Sequence, residues 1–145
     1  MVIALIGASC TGKSSIAEAL RARAGASVIT GKDYLRMAKT PGEAEMLFKE
    51  HLRDMQPREA LAVFVISEPE ALGLLPEGTL KVHCHAPLDI VKDRFAARMQ
   101  GNLPPPVAAM LEKKHHIFDE GAYALRIDTA SSSPEEACAL ILSRC

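Results

Sequence analysis

Residues 7–14 read GASCTGKS and follow the apolar run Val2-Ile3-Ala4-Leu5-Ile6 without a break. A chain that passes from an apolar run through two glycines into a helical pattern has few ways to fold. The run is a buried strand, the bend is tight, and the helix starts with its free amides converging on one point. From Lys13 the pattern is helical, with Ile16 and Leu20 one turn apart and Gly25 placed to end it. Amides gathered at a helix start form a positively polarised seat for an anion. The match to G-x-x-x-x-G-K-[ST] is complete, and the anion it implies is the polyphosphate of a nucleoside triphosphate.

Each residue type has a physical role in that loop. Gly7 and Gly12 allow backbone angles and approaches that a side chain would obstruct, while Ala8, Ser9, Cys10 and Thr11 keep the loop compact. Lys13 supplies a mobile cation for the β- and γ-phosphates. The Ser14 hydroxyl is placed to ligate a bridging Mg²⁺, and Ser15 completes the cradle.

Composition narrows the partners. The 145 residues carry 17 basic and 18 acidic side chains for a net charge of -1, so nothing favours nonspecific attraction to nucleic acid or an anionic membrane. A small-molecule partner fits better. The length suits one domain, residues 1–145, with a single core. The apolar start lacks a basic leader and is built into the loop, which argues against a signal peptide or membrane span and for a cytoplasmic protein. Cys10, Cys84, Cys138 and Cys145 form no C-x-x-C pair and are expected to be reduced thiols, with Cys10 the one in a functional setting. Alternation along a strand sends His83 and His85 to one face and Cys84 to the other, so His83-Cys84-His85 is not a metal site.

Strands alternate with helices along the chain, which predicts a parallel sheet covered on both faces. Strands are expected at 2–6, 27–29, 61–66, 79–83 and 123–127. The first helix runs from 13 to about 23. Thr40-Pro41-Gly42-Glu43 opens a helix through about Met55, with Ala44, Leu47, Phe48, Leu52 and Met55 inward. Helices are also expected from Pro87 to about Met99, from Val107 to about Ile117, and after the capping box Ser133-Pro134-Glu135-Glu136, where Ala137, Leu140 and Ile141 turn inward.

Ligands of an open parallel sheet sit beyond the carboxyl ends of its strands, which selects candidates by position. Asp33 follows the second strand, with Arg36 three residues on and on the same helical face. Asp33 would orient or deprotonate an acceptor hydroxyl, and Arg36 would hold an acceptor anion. Arg94 and Arg98 form an i,i+4 pair whose guanidiniums suit the charge of a phosphoryl group in transfer. Lys113 and Lys114 are weaker candidates, and His115 and His116 are expected to cover the core edge. The third strand ends in Ser67 where an aspartate for Mg²⁺ and water is common in phosphate-loop enzymes, which disfavours hydrolysis over transfer. No Asn-Lys-x-Asp guanine signature is present.

With these residues in hand, the chain resembles the nucleoside and nucleotide kinase group of P-loop proteins, and most closely the cytidylate kinase-like family. The likeness runs through ALIGASCTGKSSIAEAL, LFKEHLRD, VHCHAPLDIVKDRFAARM and AYALRIDTASSSPEEA. It implies an α/β, three-layer P-loop NTPase fold with five parallel strands in the order 2-3-1-4-5, and an ATP- and Mg²⁺-dependent transfer to a nucleoside monophosphate or small metabolite. It also implies that Thr129 and Ala130 lie near adenine, and that Lys13, Asp33, Arg94 and Arg98 are catalytic. The sequence departs from the family in a short lid, QGNLPPP, and in lysines where arginines follow the lid. Those departures keep a second reading open: a nucleotide-binding regulatory module with weak or no phosphotransfer.

Overall fold

The computed structural model describes residues 1–30 and 61–145, and between them residues 40, 42, 43, 46, 47 and 50. Five parallel strands, β1 (Val2–Ile6), β2 (Ser27–Thr30), β3 (Ala62–Ile66), β4 (Leu80–His85) and β5 (Leu125–Asp128), pair in the order β2-β3-β1-β4-β5. This is the order that the family resemblance implied. The helices with a fully described course are α1 (Lys13–Ala24), α2 (Leu88–Arg98), α3 (Pro105–Lys114) and α4 (Pro134–Leu142), and a 3₁₀ turn spans Pro69–Leu74.

β1 lies at the centre, and all five of its side chains are fully buried. A strand buried on both faces must be apolar at every position, which accounts for the unbroken run in the sequence. Alternation divides the run between two cores. Ile3 and Leu5, with Val63, Val65, Val82 and Cys84, pack under Ile16, Ala17 and Leu20 of α1 and under Ala137, Cys138 and Ile141 of α4. Val2, Ala4 and Ile6, with Ala62, Phe64 and Ile66, face Ala71, Leu74 and Phe118. A third cluster joins Cys10 and Ala86 to Val91 of α2 and Leu111 of α3, so it anchors the glycine-hinged loop to the layer above.

Helix ends follow local chemistry. Gly25 takes a left-handed conformation (φ 66°) and its N–H bonds the Arg21 carbonyl, closing α1 as expected. Ser133 and Glu136 form a reciprocal capping box at the start of α4. The Thr40 hydroxyl accepts from the Glu43 N–H at 3.3 Å, in keeping with a helix start there.

Several expectations are corrected. β4 extends two residues further, to His85, because β5 continues alongside it and pairs His85 with Asp128. β5 is correspondingly shifted towards Asp128. α3 begins at Pro105, since prolines suit the first helical positions, and it stops at Lys114 before a series of turns. Leu140 is 44% exposed, not inward, and Cys138 takes its place in the core because the docked face of α4 is centred on 137, 138 and 141. Leu47 is also 44% exposed, against expectation. Ala44, Phe48, Leu52 and Met55 lie outside the described residues.

This packing predicts a contrast within one helix. Ile141→Ala should lower the unfolding free energy by about 2–5 kcal/mol, whereas Leu140→Ala should stay within about 0.5 kcal/mol of the parent. Urea denaturation of the two variants measures the difference, and equal losses would contradict the assigned face.

Candidate active site

The loop between β1 and α1 is set by close contacts on both sides. The Gly7 N–H bonds the Ile66 carbonyl at 3.1 Å, which ties the loop to the end of β3. A Cβ on Gly7 would lie 2.3 Å from the Cys84 carbonyl oxygen and 2.7 Å from Thr11 Oγ1, so only glycine fits. Gly12 has φ 84°, and a Cβ there would come within 3.1 Å of Thr129. Cys10 is left-handed as well (φ 63°) despite its side chain, a conformation that non-glycine residues hold only when the surroundings impose it. Two constraints do so: its side chain is buried against Ala86, Val91 and Leu111, and its carbonyl accepts from Arg94 at 3.2 Å.

Lys13 folds back into the loop. Its ammonium donates to the Ala8 carbonyl at 2.6 Å and to Thr11 Oγ1 at 3.3 Å, while the Thr11 hydroxyl donates to the same carbonyl at 2.7 Å. The side chain is 5% exposed. Burial pulls its pKa down to about 8; the Cys84 and Cys10 thiols oppose the shift, and the nearby Arg98 charge adds to it. A cation held this way has no ion pair among the described residues, and an anion entering the loop would supply a counter-charge. Ser9, Ser14 and Ser15 are exposed on the loop and the first turn of α1, open to a ligand.

On the β5 side of the loop lies a cleft of about 330 Å³ lined by Gly12, Ser15, Arg94, Arg98, Thr129 and Ser132, with Ile16, Ala97 and Pro134 completing it. The sequence arguments brought Arg94, Arg98 and Thr129 together here, but the two arginines have different employment. Arg94 Nη1 donates to Thr129 Oγ1 at 2.9 Å as well as to Cys10, and Nη2 donates to the Thr129 carbonyl at 2.9 Å. Thr129 in turn bonds the His85 carbonyl through its N–H at 2.9 Å. Arg94 is therefore a clasp between the loop and the end of β5. Arg98 is exposed at the cleft wall and makes no side-chain hydrogen bond to the described residues. Ala130 is exposed and does not line the cleft; its N–H caps Asp128 Oδ1 at 2.9 Å. Ser132 and Pro134 were missed as lining residues, although the capping box right after the loop fixes where Pro134 must sit.

On the β3 side, Glu68 and Pro69 face one stripe of α3 and its extension, Pro106, Ala109, Met110, Lys113, Lys114 and Ile117, across a cleft of about 670 Å³. Lys114 Nζ reaches Glu68 Oε1 at 3.5 Å. Ser67 is half-buried at the end of β3. Asp33 and Arg36 lie outside the described residues.

His115 and His116 do not cover the core edge as expected. They line a third cavity with His83, His85, Asp119 and Arg126, beside Ala8 and Thr11. His83 is buried and its pKa falls to about 4, first through burial and then through His85 and Arg126. Its Nδ1 faces Arg126 Nη1 at 3.1 Å, so the neutral ring accepts there and keeps its proton on Nε2. Arg126 also donates to the Asp119 and Gly121 carbonyls at 3.1 and 3.0 Å and lies 5.0 Å from the Tyr123 ring centre, which fastens the turns after α3 to the sheet. The alternation argument for His83-Cys84-His85 holds: Cys84 is buried in the opposite core, and burial pushes its thiol up to about 12. No cluster of three metal-ligating side chains occurs among the described residues.

No protein-family model matches the sequence, and no curated protein matches it. Solved structures do match. A gluconokinase from Sinorhizobium meliloti superposes with a TM-score of 0.66 at 18% identity, covering 99% of this chain and 91% of its own. Shikimate kinase from Acinetobacter baumannii gives a TM-score of 0.66 at 15% identity with the same coverage, 99% and 91%. The tunicamycin resistance protein of Deinococcus radiodurans gives 0.69 at 17% identity, covering 99% and 94%. The protein has the α/β fold of the P-loop kinases. Among the described residues no helix is long and apolar enough to cross a membrane.

Two measurements follow from the loop. An anion beside Lys13 favours its charged form, so binding takes up a proton wherever the free amine is neutral. Affinity for inorganic sulfate, which stays doubly charged throughout, should be flat below about pH 8 and fall above it; calorimetry in buffers of different ionisation enthalpy reads the proton uptake, and affinity rising through that range would refute it. Arg94→Ala should cost about 1–3 kcal/mol of stability through the carbonyls it leaves unpaired, whereas Arg98→Ala should cost within about 0.5 kcal/mol. Thermal unfolding compares the two.

Proposed function

We propose that the protein is an ATP- and Mg²⁺-dependent small-molecule kinase that transfers the γ-phosphoryl group to a nucleoside monophosphate or a small metabolite. The observation that carries this reading is the buried Lys13 ammonium inside a glycine-hinged loop, with the exposed Arg98 beside it. Lys13 has no carboxylate partner among the described residues, a costly state for a buried cation, and a polyphosphate is the counter-charge that such a loop accommodates.

In this reading Gly7, Ala8, Ser9, Cys10, Thr11 and Gly12 present main-chain amides to the phosphates, and Ser14 and Ser15 add hydroxyls. The cleft at Arg94, Ser132 and Thr129 takes the nucleoside, with the base near Thr129 and Ala130. Mg²⁺, held by Ser14, would neutralise charge between the β- and γ-phosphates. Lys13 and Arg98 stabilise the equatorial oxygens as the acceptor oxygen bonds to the γ-phosphorus and the bond to the bridging oxygen breaks, releasing ADP. Asp33 receives the acceptor proton and Arg36 orients an acceptor anion. Arg94, which the sequence suggested for catalysis, acts here by holding the loop and Thr129 in register.

The sequence segments resemble the cytidylate kinase-like family, and a cytoplasmic setting suits four free thiols. Ser67, standing where an acid is common, favours the second reading, a nucleotide-binding module that no longer transfers phosphoryl groups. The readings separate in one assay. ADP release should be stimulated by at least one acceptor in a panel of nucleoside monophosphates and metabolite alcohols, and Lys13→Ala should reduce ATP affinity by about 10- to 100-fold. ATP binding without stimulated turnover would favour the module, and unchanged affinity in Lys13→Ala would overturn both.

A further inference from the structure

The cleft between the end of β3 and α3 carries a chemical signature of its own. One wall is a stripe of α3, Pro106, Ala109, Met110, Lys113 and Lys114, at the i, i+3/i+4 spacing that places side chains on one face, continued by Ile117 in the turns that follow. Met110 and Ile117 are 41% and 38% exposed. Large apolar side chains left open in a concave site are informative, because a site built for a sugar-like acid would present hydrogen-bonding groups in their place. Among the described residues the opposite wall is Glu68 and Pro69, of which Glu68 is polar.

Charge completes the picture. Two lysines stand against one glutamate in this lining. Lys114 and Glu68 form an exposed pair at 3.5 Å, and Lys113 has no ion pair or side-chain hydrogen bond among the described residues. Among the described residues the cleft therefore offers an uncommitted cation set between the apolar Met110 and Ile117. Its β3 wall begins two residues beyond Ile66, whose carbonyl accepts from the Gly7 N–H at the start of the phosphate loop.

We infer that the phosphoryl acceptor is an amphipathic organic anion: an apolar body lying on Pro69, Met110 and Ile117, an anionic group facing Lys113, and a hydroxyl turned to the phosphate loop. This rests on the kinase reading for the fate of the hydroxyl, but the binding chemistry stands separately. It sets the acceptor apart from polyhydroxylated acids, whose hydration a wall of methionine, isoleucine and proline cannot replace.

Three probes test the inference on the full chain: 4-(hydroxymethyl)benzoate, which has body, anion and alcohol; benzyl alcohol, which lacks the anion; and gluconate, which lacks the apolar body. Ligand-observed NMR titration should show the first binding about tenfold more tightly than either of the others. Met110→Glu should weaken it by about tenfold, Lys113→Ala should weaken it severalfold, and Lys113→Arg should restore it. Because Met110 and Lys113 are not core residues, unchanged thermal unfolding of the variants shows that the loss is local. Gluconate binding as tightly as the aromatic acid, or indifference to both substitutions, overturns the inference. Sedimentation showing a dimer that Met110→Glu dissociates would assign the stripe to a second copy of the chain and likewise overturn it. Bound 4-(hydroxymethyl)benzoate that is never phosphorylated by ATP would count against the kinase reading alone.

Discussion

The placement of one ammonium organises the carboxyl edge of the sheet. Lys13 sits inside the loop that precedes it, bonded to the Ala8 carbonyl and Thr11 hydroxyl, and the loop must curl tightly enough to reach round it. That curl requires Gly7 to lie against the Cys84 carbonyl and Gly12 against Thr129, so β4 and the end of β5 become the outer walls of the loop. The same arrangement takes the charge out of water and lowers its pKa, which leaves the protein favouring an anion at that point. Structure and chemistry at this edge share a single cause.

Arg94 shows how the rest of the edge is kept in register. By donating to Cys10 and Thr129 it joins α2, the phosphate loop and the end of β5. Cys10 holds a left-handed backbone, and burial under Leu111 adds the packing that retains it. A guanidinium suits the task because its planar donors reach two chain segments at once, which a lysine cannot reproduce. That engagement uses three of the five guanidinium N–H groups of Arg94, whereas Arg98, four residues on, makes no side-chain hydrogen bond to the described residues.

Two clefts flank the loop and differ in character. Among the described residues the one towards β5 is walled by arginines, hydroxyls and a glycine, whereas the one towards β3 is walled by prolines, methionine and isoleucine, with two lysines between Met110 and Ile117 and Glu68 opposite. The difference arises because separate elements face the two clefts: α2 and the loop after β5 on one side, α3 on the other. The fold is similar to that of a gluconokinase and a shikimate kinase, and a fold sets where clefts lie while side chains set their chemistry.

The sequence determined the parts that depend on neighbours along the chain. The apolar run of β1, the loop residues, the closing Gly25 and the Ser133 capping box were all legible, because strand alternation, glycine geometry and capping act over a few residues. Leu140 was misjudged, since periodicity gives a helix its faces but not which face meets the sheet. Arg94 and Arg98 were legible as a pair and indistinguishable as individuals, because only the approach of Thr129 and Cys10, from distant parts of the chain, commits one and frees the other. The stacking of Arg126, His83 and Tyr123 gave no local signal for the same reason. The motif and the strands came from bonds and packing close in sequence, whereas the employment of each charged side chain came from contacts between segments that only folding brings together.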